Sequence, residues 1–316
     1  MLNLHHEIPI DILLRPMTDT LRGTLSTTAS FFIWGMIPIY WKFLQSLPST
    51  HVMAHRVIWS LVFVVSMLFF QQRWSEVKTA LRNPTLRYTL MLTAFLIGIN
   101  WLLYIWAVNH DHIVEASLGY FINPLFNMVL GIIFLKEKLH RWQFVSVVLA
   151  VIGVIFLTIE FHRLPWIALA LAFSFGFYGL LRKTAQVQSV PGFCVELMIL
   201  FPLALGYLIW FTGAPGFFGS ARGTIYALLL GSGVVTAIPM LLFAHGAKRI
   251  PYITVGFIQY LAPTGQLLSG VFLFNEPFTT SHFISFGCIW SGLILYSTTV
   301  VFQYRGLKPK AESIAI

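Results

Sequence analysis

Residues 115–137 read EASLGYFINPLFNMVLGIIFLKE. The stretch is long enough to cross a bilayer, which takes roughly 20 mostly apolar residues. Asn123-Pro124 sits at its middle. Pro124 has no N–H, so the carbonyl of Tyr120 loses its helical donor. A freed carbonyl at mid-membrane depth is tolerated only against protein or a wet cavity. Tyr120, Asn123 and Asn127 follow at helical spacing, which puts a polar stripe on an otherwise apolar helix. A polar stripe beside an interrupted backbone, halfway across a membrane, is suited to holding a solute.

The stretch occurs twice. Adding 139 to each number leads to residues 254–276, TVGFIQYLAPTGQLLSGVFLFNE. Pro124 falls on Pro263, Gly131 on Gly270, Glu137 on Glu276 and, further on, Gly153 on Gly292. Tyr120 falls on Gln259 and Asn127 on Gln266, so the polar positions recur as well. Identities in one register, with no gap, indicate an internal duplication.

Composition agrees with a membrane protein. The chain has 316 residues, 57% of them hydrophobic and only 10% charged. That excludes an ordinary water-soluble enzyme. The net charge of +9 does not point to nucleic acid, because the basic residues lie in short loops and not in one patch. Cys194 and Cys288 both fall in apolar stretches and read as small buried hydrophobes. Residues 1–21 carry Glu7, Asp11, Arg15 and Asp19, and no apolar run followed by a small-residue cleavage site.

Hydropathy predicts ten spans, at about 23–44, 52–71, 86–109, 114–136, 143–160, 164–181, 192–212, 224–245, 252–273 and 282–303. The longest loop, residues 71–85, reads as a small interfacial helix with Trp74, Val77 and Leu81 on one side. Lys and Arg alternate with the loops. Arg15 and Arg22, the four of the second loop, Lys136, Lys138 and Arg141, Arg182 and Lys183, Lys248 and Arg249, and the tail share one side, while the other side has only Arg163 and Arg222. Both termini are therefore expected in the cytoplasm. Five spans per repeat is an odd number, so the second copy enters the membrane from the opposite face. Inverted repeats of this kind are a recurrent architecture of secondary transporters, with the substrate near the midplane between them. The expected fold is an all-α integral membrane protein of ten transmembrane helices in two inverted five-helix repeats. The expected divisions are an N-terminal segment 1–21, a first repeat 22–160, a second repeat 161–303 and a tail 304–316.

The chain resembles the drug/metabolite transporter superfamily in its ten-helix EamA branch, and within that the RarD group. The resemblance is carried by FFIWGMIPIYWK (31–42), HRVIWS (55–60), GINWLLYIWAVN (98–109), EASLGYFINPLFNMVLGIIFLKEKL (115–139) and LAFSFGFYGLLRK (171–183). With weaker matches in the second half it covers residues 22–303. It implies a bacterial inner-membrane permease with a central cavity, working as an exporter of small metabolites or drugs. RarD proteins are often labelled chloramphenicol-sensitivity permeases, a label that does not identify a substrate.

The candidate substrate-binding residues are Trp34, Arg56, Asn100, Trp101, Tyr104, Tyr120, Asn123, Asn127, Gln259 and Gln266. Pro124, Pro239 and Pro263 are the candidate helix breaks, Pro239 being the repeat counterpart of Asn100. An arginine inside a span is costly, so Arg56 either anchors an anion or snorkels to the surface. Glu196 holds nearly the repeat position of Arg56, but inversion separates the two by roughly 15 Å of depth, which argues against a pair. Glu196 is then a proton-coupling carboxylate or a partner of Arg182 or Lys183. Glu115, close to His110-Asp111-His112, suits a helix N-terminus through the dipole and is also a proton-coupling candidate. His55 is the third such candidate, against an interfacial hydrogen-bonding role. Gly131, Gly270, Gly153 and Gly292 read as close helix contacts. Glu137 and Glu276 end their spans as solvated ends or gate contacts.

These readings favour a secondary transporter using alternating access, with a small-molecule substrate, the lipid bilayer and protons as a candidate coupling ion. No P-loop, cofactor or metal site is expected, nor a nucleic-acid partner. A membrane enzyme on lipid-linked substrates would need clustered acids on one helix face, and the eleven acidic residues are scattered. A channel and a non-transporting scaffold complete the alternatives.

Overall fold

The computed structural model of the chain describes residues 18–44, 46–109, 112–159, 165–212, 223–274 and 280–306. Residues 1–17, His110-Asp111, Phe161–Arg163, Arg222, Glu276 and the tail beyond Gly306, all of which entered the sequence reading, lie outside the described residues.

The first repeat holds α1 (Asp19–Lys42), α2 (Ser49–Phe70), the short α3 (Trp74–Arg82), α4 (Pro84–Asn109), α5 (Ile113–Leu135) and α6 (Arg141–Ile159). The second holds α7 (Trp166–Thr184), α8 (Ser189–Thr212), α9 (Thr224–Ala247), α10 (Tyr252–Gln259), α11 (Leu261–Phe274) and α12 (Thr280–Gly306). The ten expected spans are all present as helices, the ninth in two pieces. Six of them, α2, α4, α5, α8, α9 and α12, are long and apolar enough to span by length and composition alone. Helices α1, α2 and α8 begin about a turn before the hydropathy limits, because a polar first turn is still helical. In α1, Thr18 accepts the N–H of Leu21 through its side chain and Asp19 opens the first turn.

The 139-residue shift carries one repeat onto the other. The starts of α2, α4 and α6, at 49, 84 and 141, map to 188, 223 and 280, against 189, 224 and 280 for α8, α9 and α12. Packing repeats the symmetry. A Cβ on Gly153 would lie 2.7 Å from the carbonyl oxygen of Ser285, and one on Gly292 would lie 2.8 Å from that of Ser146. Ser146 and Ser285 are themselves 139 apart, so α6 and α12 touch reciprocally about the pseudo-two-fold. Helices surrounded by lipid gain little from apolar burial, and close approach at small residues supplies the contact.

The prolines behave differently from one another. Pro124 lies within a continuous α5 and Pro239 within a continuous α9. Losing one donor does not by itself end a helix that is packed on several sides. The interruption occurs only in the second repeat, at Tyr260, three residues before Pro263. The interfacial helix forms as read, as α3. Val77 and Ala80 are buried and Leu81 is exposed. The nine-residue α3 seats its i, i+3 row from Trp74 against its neighbours, and Leu81 lies off that row.

Candidate functional site

A cavity of about 330 Å³ lies between the repeats, lined from α1, α2, α4, α5, α7, α9, α10 and α11. Nine of the ten candidate substrate residues line it: Trp34, Arg56, Asn100, Trp101, Tyr104, Tyr120, Asn123, Gln259 and Gln266. Pro263 lines it and Pro124 and Pro239 do not, although Asn123 and Met240 beside them do.

Each polar side chain is positioned by a neighbour. Asn100 donates from its amide nitrogen to the carbonyl of Leu171 and to Ser174 Oγ, both at 2.9 Å, so it ties α4 to α7 while facing the cavity. Tyr104 and Tyr120 meet edge to face across α4 and α5, with centroids 5.9 Å apart. Trp34 packs against Phe31, Phe175 and Phe243. Arg56 donates from Nε to Thr236 Oγ1 at 3.1 Å and lies between two indoles, 4.7 Å from the Trp41 ring and 5.0 Å from the Trp101 ring. Asn123 is buried, and its Oδ1 has no hydrogen-bond partner among the described residues.

Asn127 does not line the cavity. It is fully buried one turn beyond Asn123, donates to Gln259 Oε1 and accepts from the Tyr252 hydroxyl at 3.1 Å. That hydroxyl also donates to the carbonyl of Gly176 at 2.8 Å. Asn127, Tyr252 and Gly176 thus join α5, α10 and α7 beneath the cavity, and Asn127 holds Gln259, which faces into it.

The three proton-coupling candidates lie away from the cavity lining. Glu115 is buried and accepts the N–H of Ile167 at 2.8 Å, at the start of α7. Glu196 forms a fully buried ion pair with Arg182 at 3.5 Å and accepts from Thr93 Oγ1 at 2.6 Å and the Tyr178 hydroxyl at 3.3 Å. His55 is buried, and its Nδ1 accepts from Trp59 Nε1 at 3.1 Å. Glu196 therefore has the partner anticipated in Arg182 and sits apart from Arg56.

The two ends of the bundle differ. Pro38 and Trp41 lie near the end of α1, Arg56 in the second turn of α2, Tyr104 near the end of α4 and Ala116 at the start of α5, so the cavity lies toward that face. At the other face the chain is tied together. The Glu137 carboxylate accepts the N–H groups of Tyr252 and Ile253, at 2.6 and 2.9 Å, capping α10. Lys183 Nζ donates to the carbonyls of Ala247 and Ile250, and Lys248 Nζ to those of Ala185 and Val187. Lys136 takes φ 54° at the end of α5, which turns Glu137 back toward α10.

Glu137 was offered by the sequence as a gate contact, whereas the Lys183 and Lys248 ties, Trp41, Phe175 and Thr236 were not found. Trp41 carried a signal, because it follows Trp34 by seven residues and so shares its helix face. Thr236 carried none, being an ordinary residue of an apolar span.

Comparison with known proteins decides the family. The model of the EamA-like transporter family matches this chain twice, over residues 21–159 and 164–298. The chain belongs to the EamA-like transporter family. An uncharacterized transporter of Bacillus subtilis, YojE, is 46% identical to this EamA protein over 92% of this chain and 98% of its own length. Protein RarD of Salmonella typhimurium is 42% identical over 91% and 98%. A Pseudomonas aeruginosa relative called chloramphenicol-sensitive protein RarD is 28% identical over 87% and 93%. One solved crystal structure, 16% identical, superimposes with a TM-score of 0.69 over 88% of this chain and 97% of that one, which shows the shared fold. This EamA protein is a multi-pass membrane transporter of that family, and not an enzyme.

Proposed function

We propose that this EamA protein is a secondary-active carrier that moves a small metabolite or drug across the bacterial inner membrane by alternating access, with efflux as its net direction. The observation that carries the proposal is the cavity between two inverted repeats, lined by both and tied shut beneath. Rocking one repeat against the other about the cavity floor would expose the cavity to each side in turn. The Lys and Arg distribution favours cytoplasmic termini, so the cavity faces outward and the Glu137, Lys183 and Lys248 ties form the inner closure. In this reading the nine polar and aromatic lining residues contact substrate, and Asn127 positions Gln259. Glu196, paired in the protein core, serves structure more directly than proton coupling, while Glu115 and His55 remain on the outer side, where a proton would enter.

The experiment is counterflow in proteoliposomes with amino acids, nucleobases, small aromatic metabolites and chloramphenicol. Exchange of a compound by the native protein, lost in Asn123→Ala with fold retained, is the expected result. Exchange unaffected by Asn123→Ala would place the path elsewhere. Silence in correctly inserted protein, with and without an imposed proton gradient, would favour the scaffold reading.

A further inference from the structure

We propose that the cavity takes an organic monoanion, a carboxylate on a small flat apolar body, with Arg56 as its charge partner. The inference deepens the carrier reading and rests on it. Arg56 and Arg182 provide an internal comparison. Arg182 is fully buried and has a carboxylate partner, Glu196 at 3.5 Å, and the Ser189 carbonyl 3.1 Å from Nη2, although its Nε and Nη1 make no hydrogen bond among the described residues. Arg56 lines the cavity, donates to one threonine hydroxyl, lies over two indole faces and has the Tyr104 and Tyr120 phenols within electrostatic range.

The described carboxylates are engaged elsewhere. Glu76 pairs with Arg73, Glu115 accepts from the start of α7, Glu137 caps α10 and Glu196 pairs with Arg182. Asp19 opens α1, at the opposite end of the helix from Trp41. The charge of Arg56 thus has no carboxylate partner among the described residues, in a place where an unpaired cation is expensive.

The geometry selects the kind of anion. The indoles stack the guanidinium by cation–π contact, and Thr236 holds Nε. This fixes the plane of the fork and leaves its Nη edge to pair with a carboxylate through two parallel hydrogen bonds. A single cation balances one negative charge, which favours a carboxylate over a phosphate dianion. Much of the remaining wall is aromatic, with Trp34, Trp101, Tyr104, Tyr120 and Phe175, beside the amides of Asn100, Gln259 and Gln266. A volume of about 330 Å³ suits a small molecule. Asn123 Oδ1, buried and without a partner among the described residues, offers an acceptor for one N–H or O–H on the body.

The test uses matched acids and amides on the full chain in lipid nanodiscs, by calorimetric titration at neutral pH. The pairs are benzoate and benzamide, 4-hydroxybenzoate and its amide, phenylacetate and phenylacetamide, and indole-3-acetate and its amide. At least one acid should bind about tenfold or more tightly than its amide, the scale of a charge-assisted fork. The preference should vanish in Arg56→Gln and be only partly retained in Arg56→Lys, which keeps the charge and loses the fork, both shown folded by thermal melting. Equal binding of acids and amides, an acid preference that survives Arg56→Gln, or no acid binding in any pair would overturn the proposal. Counterflow with the same preparations separates the two readings. Exchange of a neutral solute with no acid binding sinks the anion and leaves the carrier, Arg56-dependent acid binding with no exchange keeps the anion site and sinks the carrier, and absence of both sinks both.

Discussion

At the scale of single residues, the buried polar groups divide into those that hold the protein and those that face the cavity. Arg182 belongs to the first class and depends on Gly192, where a Cβ would lie 2.0 Å from its Nη1. Gly192→Ala should push the guanidinium off Glu196 and cost about 3–5 kcal/mol, the scale of an opened buried ion pair. Thermal melting in detergent checks this, and an unchanged midpoint would show that Arg182 relocates freely. Asn127→Ala should cost about 1–3 kcal/mol, since it strips partners from Gln259 and from the Tyr252 hydroxyl. It should also weaken substrate binding through Gln259, whereas Asn127→Asp, which keeps an acceptor for Tyr252, should recover stability better than binding. The sequence exposed the polar stripe Tyr120, Asn123, Asn127, but not which members face the cavity. The spacing of 3.6 residues per turn places all three on one side of α5, and only depth separates Asn127 from the others. Depth is set by α10, which comes from the other repeat and packs so closely that a Cβ on Gly256 would lie 2.6 Å from the Pro124 carbonyl.

At the scale of elements, the ten spans and their duplication were legible because hydropathy and a gapless 139-residue register are local properties of the chain. The fate of each proline was not. Pro124, Pro239 and Pro263 remove the same donor, yet only the last accompanies a divided helix. The difference lies in the neighbours, which no single segment encodes. The burial of Ala80 and the exposure of Leu81 were likewise not legible, because a nine-residue helix can seat either of two adjacent rows and α8 selects one. The reciprocal glycine contact makes a sharper prediction. Gly153→Leu and Gly292→Leu should each separate α6 from α12 and lower thermal stability by similar amounts, because the two sites are related by the pseudo-two-fold. A large effect at one site and none at the other would break that equivalence. The connection after α9 predicts a pH effect. Burial, with repulsion from Arg182 and Arg249, lowers Lys248 to about 8. An unfolded lysine stays protonated to about 10.4. Between these values the unfolded chain binds more protons, so stability should rise as pH goes from about 8 to about 10. A neutral amine still has two N–H bonds for the two carbonyls, so the tie survives the titration. Melting curves across that window should show the rise in the native chain and a smaller one in Lys248→Met.

At the scale of the whole molecule, two inverted repeats enclose one cavity and close one end of it. The inversion follows from an odd number of spans per repeat and was legible in the sequence. Of the closure only Glu137 was legible, as a gate contact, since the rest consists of lysines reaching backbone carbonyls of distant segments. Neither repeat could carry solute alone, as each supplies part of the lining. The central claim is that the cavity is reached from one side at a time, and that the Glu137 cap of α10 is part of what keeps the inner side shut. Its most direct test is labelling of a single cysteine at the cavity wall, Ile37→Cys in a chain with Cys194 and Cys288 replaced by alanine, with membrane-impermeant thiol reagents applied to oriented vesicles. The account predicts fast labelling from the outer face and slow labelling from the inner face. In Glu137→Gln, which weakens the cap, inner labelling should speed up and outer labelling should slow down. Equal labelling from both faces in the native chain, or inner labelling that rises in Glu137→Gln with no fall outside, would contradict alternating access and indicate a pore.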